Sequence, residues 1–422
     1  MKKLLAILMV ICIIAAVAAC GGNEEAPGSS APAASSPPAG GESSAPAGSS
    51  PSQAPPASPP AEVIVIEEGW ELPNLDFQLK LKQDPFSRPT YQILHVVMAP
   101  GGMTSALLDA LNEIGQALNF EVTQESANRQ AEEFINLIEV YAGQGIDGML
   151  LEAEVSNQDR VLELARDLDI KWLTGLGSIF TGSLDDPHWA WPAVQMDDFN
   201  MGFESMNWMI DNWERFTGTP FEAEKIGAVS VFFSTPTVHV NRSRGAAAAY
   251  EARFPNLVSS NFIELDTVAE ANPVSQAAGA GVMGPHVAAN PQFEGWIVFG
   301  TAEDNADGAA TSLVEMGFGD MSMVTTRGAG TLLRLWEGGY EGNYVAAADA
   351  STIQWAHGLM AGLLMLIEGT ETPETLWQSY KQPGQTYTMI RLPFSMIELD
   401  NSQLYRDAVA GYKDTITWEI VP

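Results

Sequence analysis

The amino-acid sequence predicts an α/β protein with two lobes, each a parallel β-sheet flanked by helices on both faces. Residues 91–422 alternate short apolar runs with amphipathic stretches of helical length. The alternation restarts at Lys225, so the chain contains two such series. Repeated strand-helix-strand units pair their strands in parallel, because right-handed crossovers permit little else. This part of the chain is also long enough to build two hydrophobic cores.

The first series contains strands marked by compact apolar runs and helices marked by apolar residues at helical spacing. Ser156 and Asp159 have the spacing of a capping box, which indicates a helix start. In chain order the segments are the strand YQILHVVM, the helix TSALLDALNEIGQAL, the strand FEVTQE, the helix NRQAEEFINLIEVYAGQG, the strand DGMLLEA, the helix SNQDRVLELARDL, and the strands IKWLTGL and PAVQMDD.

The second series follows the predicted helix MGFESMNWMIDNWERF and repeats the pattern. Its strand segments are KIGAVSVFF, NLVSSNFIEL, GWIVFG, SMVTTRG and YVAAADA, and its helices run through AAAAYEARF, residues 273–290, DGAATSLVEMG and STIQWAHGLMAGLLMLIEG. In open parallel sheets, ligands bind outside the carboxyl ends of the strands. Two lobes that face each other would place those ends around one cleft.

Residues 1–19 have the layout of a secretory signal. Lys2 and Lys3 precede an apolar run that ends in small residues. The run is shorter than the roughly 20 residues that a membrane span needs. The stretch VAACGG resembles the lipobox of bacterial lipoproteins, which implies that Cys20 becomes the lipid-modified first residue of the mature chain. A transmembrane anchor, or an ordinary signal with an incidental cysteine, is the alternative.

Residues 20–62 are predicted to be a lipidated cysteine followed by a disordered tether of Ala, Pro, Ser and Gly, because this composition cannot bury enough apolar surface to fold. Residues 63–90 are more apolar and predict a short ordered collar. Cys12 lies in the signal, so no pair of thiols remains after processing. Disulfides and cysteine-based metal sites are therefore excluded.

The net charge of the chain and the absence of certain sequence motifs argue against several classes of function. The chain has 20 basic and 53 acidic residues, a formal charge of −33, which disfavours nucleic acid and anionic lipid as partners. Membrane contact would then come through the lipid alone. The segments HExxH, GxSxG after a strand, and GxxxxGK[ST] do not occur, and no residues have metal-ligand spacing. We therefore expect no enzyme activity, cofactor or metal.

The order of several segments resembles the type I periplasmic binding proteins, the solute receptors of bacterial ABC importers, especially those for sugars. The resemblance covers roughly residues 91–395. It is carried by AEEFINLIEVYAGQGIDGMLLEAEVSNQDRVLELARDLDIKWL, by MDDFNMGFESMNWMI, by NRSRGAAAAYEARFP and by ANPQFEGWIVFGTAEDNADGAATSLVEMG.

The resemblance implies two Rossmann-like lobes joined by a three-crossing hinge, with a ligand cleft between them that closes around one small polar molecule. The crossings would lie near Asp198, Asp349 and Pro393. Lobe 1 would comprise residues 91–198 and 350–392, lobe 2 would comprise 199–349, and residues 393–422 would return to lobe 2.

Candidate ligand contacts follow from the resemblance and from strand ends. Arg242 matches the family's ligand-binding arginine, and the guanidinium fork suits paired hydroxyls or a carboxylate; pairing with surface acids is the alternative. Asp198 can accept two hydroxyls, or serve the hinge or cap a helix. Met103 and Thr104 lie in the first strand-helix loop, which is otherwise a plain tight turn. Thr174 lies in the fourth predicted strand.

Three positions depart from the sugar-binding pattern of the family. Ala302-Glu303 stands where relatives carry Asn-Asp, Arg327 stands where they carry Asp, and Asp349 stands where Gln or Asn is common. Arg242 and Arg327 could together hold a carboxylate or phosphate. Alternatively, Arg327 pairs with Asp349 or Glu303 and leaves the site neutral.

Aromatic residues near strand ends could cover the apolar face of a sugar ring, although core packing is the commoner role for each. They are Phe180, Trp189, Trp191, Phe199 and Phe233.

The sequence thus predicts a monomeric, extracytoplasmic lipoprotein on the outer face of the bacterial cell membrane. It would bind a small polar ligand, a sugar or sugar derivative, and deliver it to an ABC permease. The alternative is a sensing receptor for a nucleoside, autoinducer or acidic solute that signals to a histidine kinase or chemoreceptor.

Overall fold

The protein is described by a computed structural model that covers residues 61–73, 75–152, 158–176, 180–182, 187–235 and 237–422. Cys20, the predicted signal, residues 20–60 of the predicted tether and Ser156 of the predicted capping box lie outside these residues. The prediction of a disordered tether up to residue 62 is wrong at its end, because Ala61 is buried and donates its backbone N–H to Asp197 Oδ2 at 2.8 Å. None of the helices described in these ranges is long and apolar enough to cross a membrane.

The elements of the described residues alternate largely as the sequence predicts. The strands are β1 (Val63–Ile64), β2 (Lys80–Leu81), β3 (Tyr91–Val97), β4 (Phe120–Ser126), β5 (Gly148–Glu152), β6 (Trp172–Leu176), β7 (Phe180–Gly182), β8 (Pro187–Trp189), β9 (Ala193–Met196), β10 (Ile226–Phe232), β11 (Phe262–Asp266), β12 (Gly295–Gly300), β13 (Ser322–Arg327), β14 (Tyr344–Asp349), β15 (Met389–Leu392), β16 (Phe394–Glu398) and β17 (Glu419–Ile420). The α-helices are α1 (Gly102–Leu118), α2 (Ala131–Gln144), α3 (Gln158–Asp167), α4 (Asp198–Thr217), α5 (Thr237–Arg253), α6 (Val258–Asn261), α7 (Gln276–Ala289), α8 (Glu303–Glu315), α9 (Gly330–Glu337), α10 (Thr352–Glu368) and α11 (Ser402–Gly411).

Lobe 1 is built on a four-stranded parallel sheet in the order β4-β3-β5-β6. Alternate residues of β3 point to opposite faces of the sheet. Ile93 packs with α1 and α10 on one face, whereas Leu94 and Val96 pack with α2 and α3 on the other. Both faces are therefore covered, which is why the inner strands β3 and β5 contain continuous apolar runs, whereas the edge strand β4 carries polar residues.

Lobe 2 is built on a seven-stranded sheet in the order β1-β16-β14-β13-β12-β10-β11. All neighbouring strands are parallel except β14 and β16, which are antiparallel. One face packs against α7, α8, α9 and α11, and the other packs against α4 and α5. The carboxyl ends of β10, β12, β13 and β14 consequently lie along one edge.

The chain passes between the two sides at three places. Met196 of β9 belongs to the core of lobe 1, and α4 begins in lobe 2 two residues later. After Asp349, Ala350 and α10 lie in the core of lobe 1. Strand β15 pairs with β9, and β16 joins the lobe 2 sheet directly after Pro393. Residues 394–409 pair and pack mainly with lobe 2, although Phe394 is buried in the core of lobe 1, where Tyr412 and Ile416 also lie. The C-terminal segment thus extends beyond the predicted return to lobe 2.

Residues 61–81, which we call the N-terminal strap, also span both lobes. Strand β1 adds to the edge of the lobe 2 sheet beside Phe394. Trp70 stacks on Tyr405 of lobe 2, with ring centroids 6.2 Å apart. Phe77 then enters the core of lobe 1, where its carbonyl accepts a hydrogen bond from Trp377 Nε1 at 3.1 Å. The predicted collar is therefore a fourth link between the lobes.

Glycines bring two pairs of helices into close contact. Gly202 of α4 lies against the carbonyl of Arg242, and Gly245 of α5 lies against the carbonyl of Phe199, so a Cβ at either position would overlap backbone. A similar glycine-to-backbone contact joins α7 and α8, where Gly279 faces the backbone of Asn305. These crossings set the starts of α4 and α8, where Asp198 and Glu303 lie.

We predict that Gly279→Ala lowers the free energy of unfolding by about 1–3 kcal/mol, because the added methyl group forces the two helix backbones apart. Gly281→Ala in the same helix is the matched control, since its Cβ would meet no atom nearer than 3.8 Å. That variant should be neutral or stabilising by up to about 1 kcal/mol through better helix propensity. Urea denaturation measures both. Equal effects of the two substitutions would contradict the close-contact explanation.

Candidate functional site

A buried ion pair joins two helices at the first crossing between the lobes. Asp198 is the first residue of α4, and its Oδ1 accepts a hydrogen bond from Arg242 Nε at 2.7 Å. Arg242 Nη1 donates to the carbonyl oxygen of Thr301 at 2.8 Å, at the end of β12. The two side chains are 13% and 9% exposed. The guanidinium is therefore held in one orientation and keeps N–H groups available for a ligand.

Arg327 ends β13 in the same region and is 5% exposed. Among the described residues, the structure gives its side chain no hydrogen bond and no ion pair within 4.0 Å, and its Nε is buried without a partner. Burial and, to a smaller extent, the charge of Arg242 lower the pKa of Arg327 to about 10, against the opposing charges of Asp349, Asp198 and Glu303. The predicted alternative, a direct pair with Asp349 or Glu303, does not occur.

Asp349 ends β14 and is engaged by the protein. Its Oδ2 accepts a hydrogen bond from the hydroxyl of Tyr405 at 2.5 Å. The backbone N–H of Ala329 also supports the carboxylate. Burial raises the pKa of Asp349 to about 6, against the opposing effects of the Tyr405 hydrogen bond and the charge of Arg327.

Glu303 holds the loop that follows Arg327. Its Oε2 accepts a hydrogen bond from the backbone N–H of Thr331, in the first turn of α9. Gly328 has φ +92°, and a Cβ there would lie 2.5 Å from Glu303 Oε1. Position 328 therefore requires glycine, both for its left-handed backbone and for the close carboxylate.

The three predicted residues of lobe 1 have other environments. Thr104 Oγ1 accepts from the backbone N–H of Gly101 at 2.9 Å and lies 3.0 Å from its carbonyl, so this hydroxyl caps α1. Met103 is partly buried against the lobe 1 core. Thr174 is buried inside β6, and its hydroxyl has no hydrogen-bond partner within the described part of the chain. The predicted residues that the structure brings together are thus those of lobe 2 and the crossings.

Solved structures with this arrangement of sheets and helices include three transporter solute-binding proteins with bound ligands, the first two of them described as ABC transporter proteins. They are a protein from Bacillus halodurans with bound myo-inositol (12% identity, TM-score 0.55, covering 76% of this chain and 98% of that one), one from Actinobacillus succinogenes with bound D-allose (14%, 0.56, 75% and 100%), and a 5-methylthioribose transporter protein from Thermotoga lettingae in complex with 5-methylthioribose (15%, 0.57, 77% and 90%).

The chain has the fold of the type I periplasmic binding proteins. The predicted fold class is thereby confirmed. No protein-family model matches the chain, and no curated protein sequence matches it significantly. At such low identity the solved structures establish the fold alone.

Several residues near the strand ends were not predicted from the sequence as ligand contacts. His239 lies in the first turn of α5, with Nδ1 2.9 Å from Thr301 Oγ1. Desolvation, followed by the charges of Arg242, Arg327 and Arg129, holds the pKa of His239 well below 6.5, so its imidazole is neutral at pH 7. The sequence feature that points to His239 as a ligand contact is its position shortly after the predicted strand KIGAVSVFF.

Arg129 and Phe233 connect the two sides of the cleft. Arg129 follows β4 of lobe 1, and its guanidinium lies 5.8 Å from the ring centroid of Phe233, which follows β10 of lobe 2. Arg129 adopts the left-handed conformation, with φ 63°, and so does Asn128, with φ 50°. Single-sequence patterns do not reveal such a turn, because neither residue is glycine.

The predicted aromatic candidates divide into packed and exposed residues. Trp189 and Phe233 are buried. Trp191 stacks on Trp172 with ring centroids 4.6 Å apart, which is a packing role. Phe199 is 40% exposed at the start of α4. The side chain of Phe180 lies outside the described residues.

We predict that the wild-type protein loses stability relative to Asp349→Asn as the pH rises from about 4 to about 6. The folded state keeps the Asp349 proton up to about pH 6, whereas the unfolded chain releases it near 3.8. The contribution is fully present below pH 3.8 and is lost as the pH passes 6, with a slope of at most about 1.4 kcal/mol per pH unit. Urea denaturation of both proteins across this range measures it, and a pH-independent difference would contradict the burial of the carboxyl group.

Proposed function

We propose that the protein is an extracytoplasmic solute-binding lipoprotein that captures a small polar ligand, a sugar or sugar derivative, and delivers it to an ABC permease. The observation that carries the proposal is the group formed by Asp198 at the start of α4, Arg242 in α5 and Arg327 at the end of β13. This group lies at the edge of the lobe 2 sheet where β12 and β13 end, beside the first lobe crossing. In open α/β sheets, this edge is where ligands bind.

The chemistry of the group supports a ligand rich in hydroxyls or other oxygen atoms. Arg242 is oriented by Asp198 and Thr301, so its remaining N–H groups are fixed donors. The neutral His239 and the buried ring of Phe233 add a polar group and an apolar face nearby. Apolar faces next to oriented donors are typical of sites that bind sugar rings.

The neighbours in structure support the same class of ligand. Solved proteins of this fold hold myo-inositol, D-allose and 5-methylthioribose. All three are small, polar and rich in hydroxyl groups. Binding would close the two lobes by rotation at the hinge, and the closed form would be the one that the permease recognises.

The location outside the cell is proposed from the N-terminal sequence. A signal in residues 1–19, a lipid on Cys20 and a tether over residues 20–62 would hold the protein at the outer face of the membrane as a monomer. The strong negative charge favours an anchor through lipid over contact between the folded body and anionic headgroups.

We predict that at least one sugar or sugar derivative stabilises the protein and that this stabilisation depends on the cleft. A ligand present at about 100 times its Kd should add roughly 2.7 kcal/mol. A thermal-shift screen of sugars, sugar acids, nucleosides and amino acids finds the ligand, and calorimetry gives its affinity. Asp198→Asn should weaken binding, because Arg242 loses the group that orients it. Arg253→Gln, which removes an exposed arginine paired with Asp211, is the control. Equal binding by Asp198→Asn and wild type would place the ligand elsewhere.

We predict that Cys20→Ser moves the protein from the membrane fraction to the soluble extracytoplasmic fraction. A serine cannot accept the thioether-linked lipid, so the strongest membrane attachment is lost. Cell fractionation with mass spectrometry of the N-terminal peptide measures location and acylation together. Retention of the variant in the membrane, with an unmodified peptide in wild type, would favour a transmembrane anchor.

A further inference from the structure

We infer that the ligand carries an anionic group, a carboxylate or a phosphate, and that Arg327 binds it. This inference rests on the proposed function and narrows its ligand class. It goes beyond the ligands of the neighbours in structure, and it starts from a position where this chain departs from the family pattern.

The first argument is that Arg327 is buried without a protein partner. Its side chain is 5% exposed, and the described residues give it neither a hydrogen bond nor an ion pair. Buried charged groups in proteins are normally paired, because removing a charge from water without compensation costs several kcal/mol. An orphaned guanidinium at the ligand-binding edge of a sheet therefore indicates a counter-charge that comes from outside the protein.

The second argument is that each nearby carboxylate already has another partner. Asp198 accepts from Arg242 Nε at 2.7 Å. Asp349 accepts from the Tyr405 hydroxyl, and Glu303 accepts from the backbone N–H of Thr331. The acids lie close enough to favour the charged form of Arg327, yet none forms an ion pair with it.

The third argument is the local balance of charge. Arg242 and Arg327 lie close enough to repel each other, and Asp198 pairs with only one of them. Arg129 adds a further positive charge, and His239 is neutral. The negative charges here are those of Asp198, Glu303 and Asp349, and each of these carboxylates accepts a hydrogen bond from another group. An anion between the two guanidinium groups would relieve their repulsion. Arginine also offers paired donors that match carboxylate and phosphate oxygens.

A neutral sugar is the competing explanation, since a guanidinium can donate to hydroxyl groups. Hydroxyl oxygens would satisfy the N–H groups of Arg327 but would leave its charge without a counter-charge in a buried setting. The two explanations differ in what happens when the charge of Arg327 is removed.

The first experiment needs no ligand and compares melting temperatures of the protein alone. Arg327→Gln should melt at a higher temperature than wild type, because it removes an uncompensated buried charge from the empty cleft. Arg242→Gln should melt at a lower temperature, because Asp198 and the carbonyl of Thr301 lose the hydrogen bonds that Arg242 donates to them. A lower melting temperature for Arg327→Gln would mean that the protein itself pairs this arginine, and it would overturn the inference.

The second experiment uses probes in matched sets and calorimetry. Two sets hold a neutral sugar, its uronic acid and its phosphate ester: glucose, glucuronate and glucose 6-phosphate, and the same three forms of galactose. A third set holds myo-inositol and its monophosphate. We expect an anionic member to bind at least about tenfold more tightly than its neutral counterpart. Arg327→Gln should abolish that preference, and Arg253→Gln should preserve it. The uronic acid and phosphate members distinguish the two anion classes.

The outcomes separate this inference from the proposed function. A neutral sugar that binds wild type and Arg327→Gln equally well overturns the anion inference and leaves the proposed function standing. A panel with no binding member counts against the proposed function as stated. In that case the melting temperature of ligand-free Arg327→Gln decides alone whether the charge is unpaired.

Discussion

The candidate site depends on the ion pair between Asp198 and Arg242. This pair exists because Gly202 and Gly245 allow α4 and α5 to touch through their backbones, one turn beyond the two charged residues. Any side chain at the crossing would separate the helix starts and move the carboxylate away from the guanidinium. Since α4 begins directly after the lobe crossing, the same contact fixes the hinge and orients Arg242. Packing of the smallest residues is thus what gives the polar site its geometry.

Around this pair, acidic residues have separate tasks despite their chemical similarity. Asp197 caps α4 and accepts from Arg391 at the crossing. Glu303 holds the loop after β13, and Asp349 is bound by Tyr405. Each of these carboxylates accepts a hydrogen bond from another group of the protein, and none of them pairs with Arg327. Despite the large excess of acidic residues in the sequence, Arg327 forms no ion pair with any of the residues that the structure describes.

Much of the fold could be predicted from sequence because each strand and helix carries its own local pattern. The helix start at Asp198 and the strand ends at Arg327 and Asp349 were found for the same reason. The N-terminal strap could not be predicted in detail, since the two residues of β1 pair with Phe394 and Ser395 and carry no periodic signal of their own. Whether Arg327 paired with Asp349 or Glu303 was also undecidable. Tyr405, which occupies Asp349, lies 56 residues away in the chain, and no local pattern links the two.

The strap has a mechanical consequence. Ala61 donates its backbone N–H to Asp197 Oδ2 at 2.8 Å and accepts from Asn200 Nδ2 at 3.2 Å. The chain therefore enters the folded body at the first lobe crossing, next to the axis about which the lobes would turn. A pull on the N-terminus acts close to that pivot and has almost no lever arm on either lobe. An attachment through this end would therefore act beside the crossing and not at the far end of either lobe.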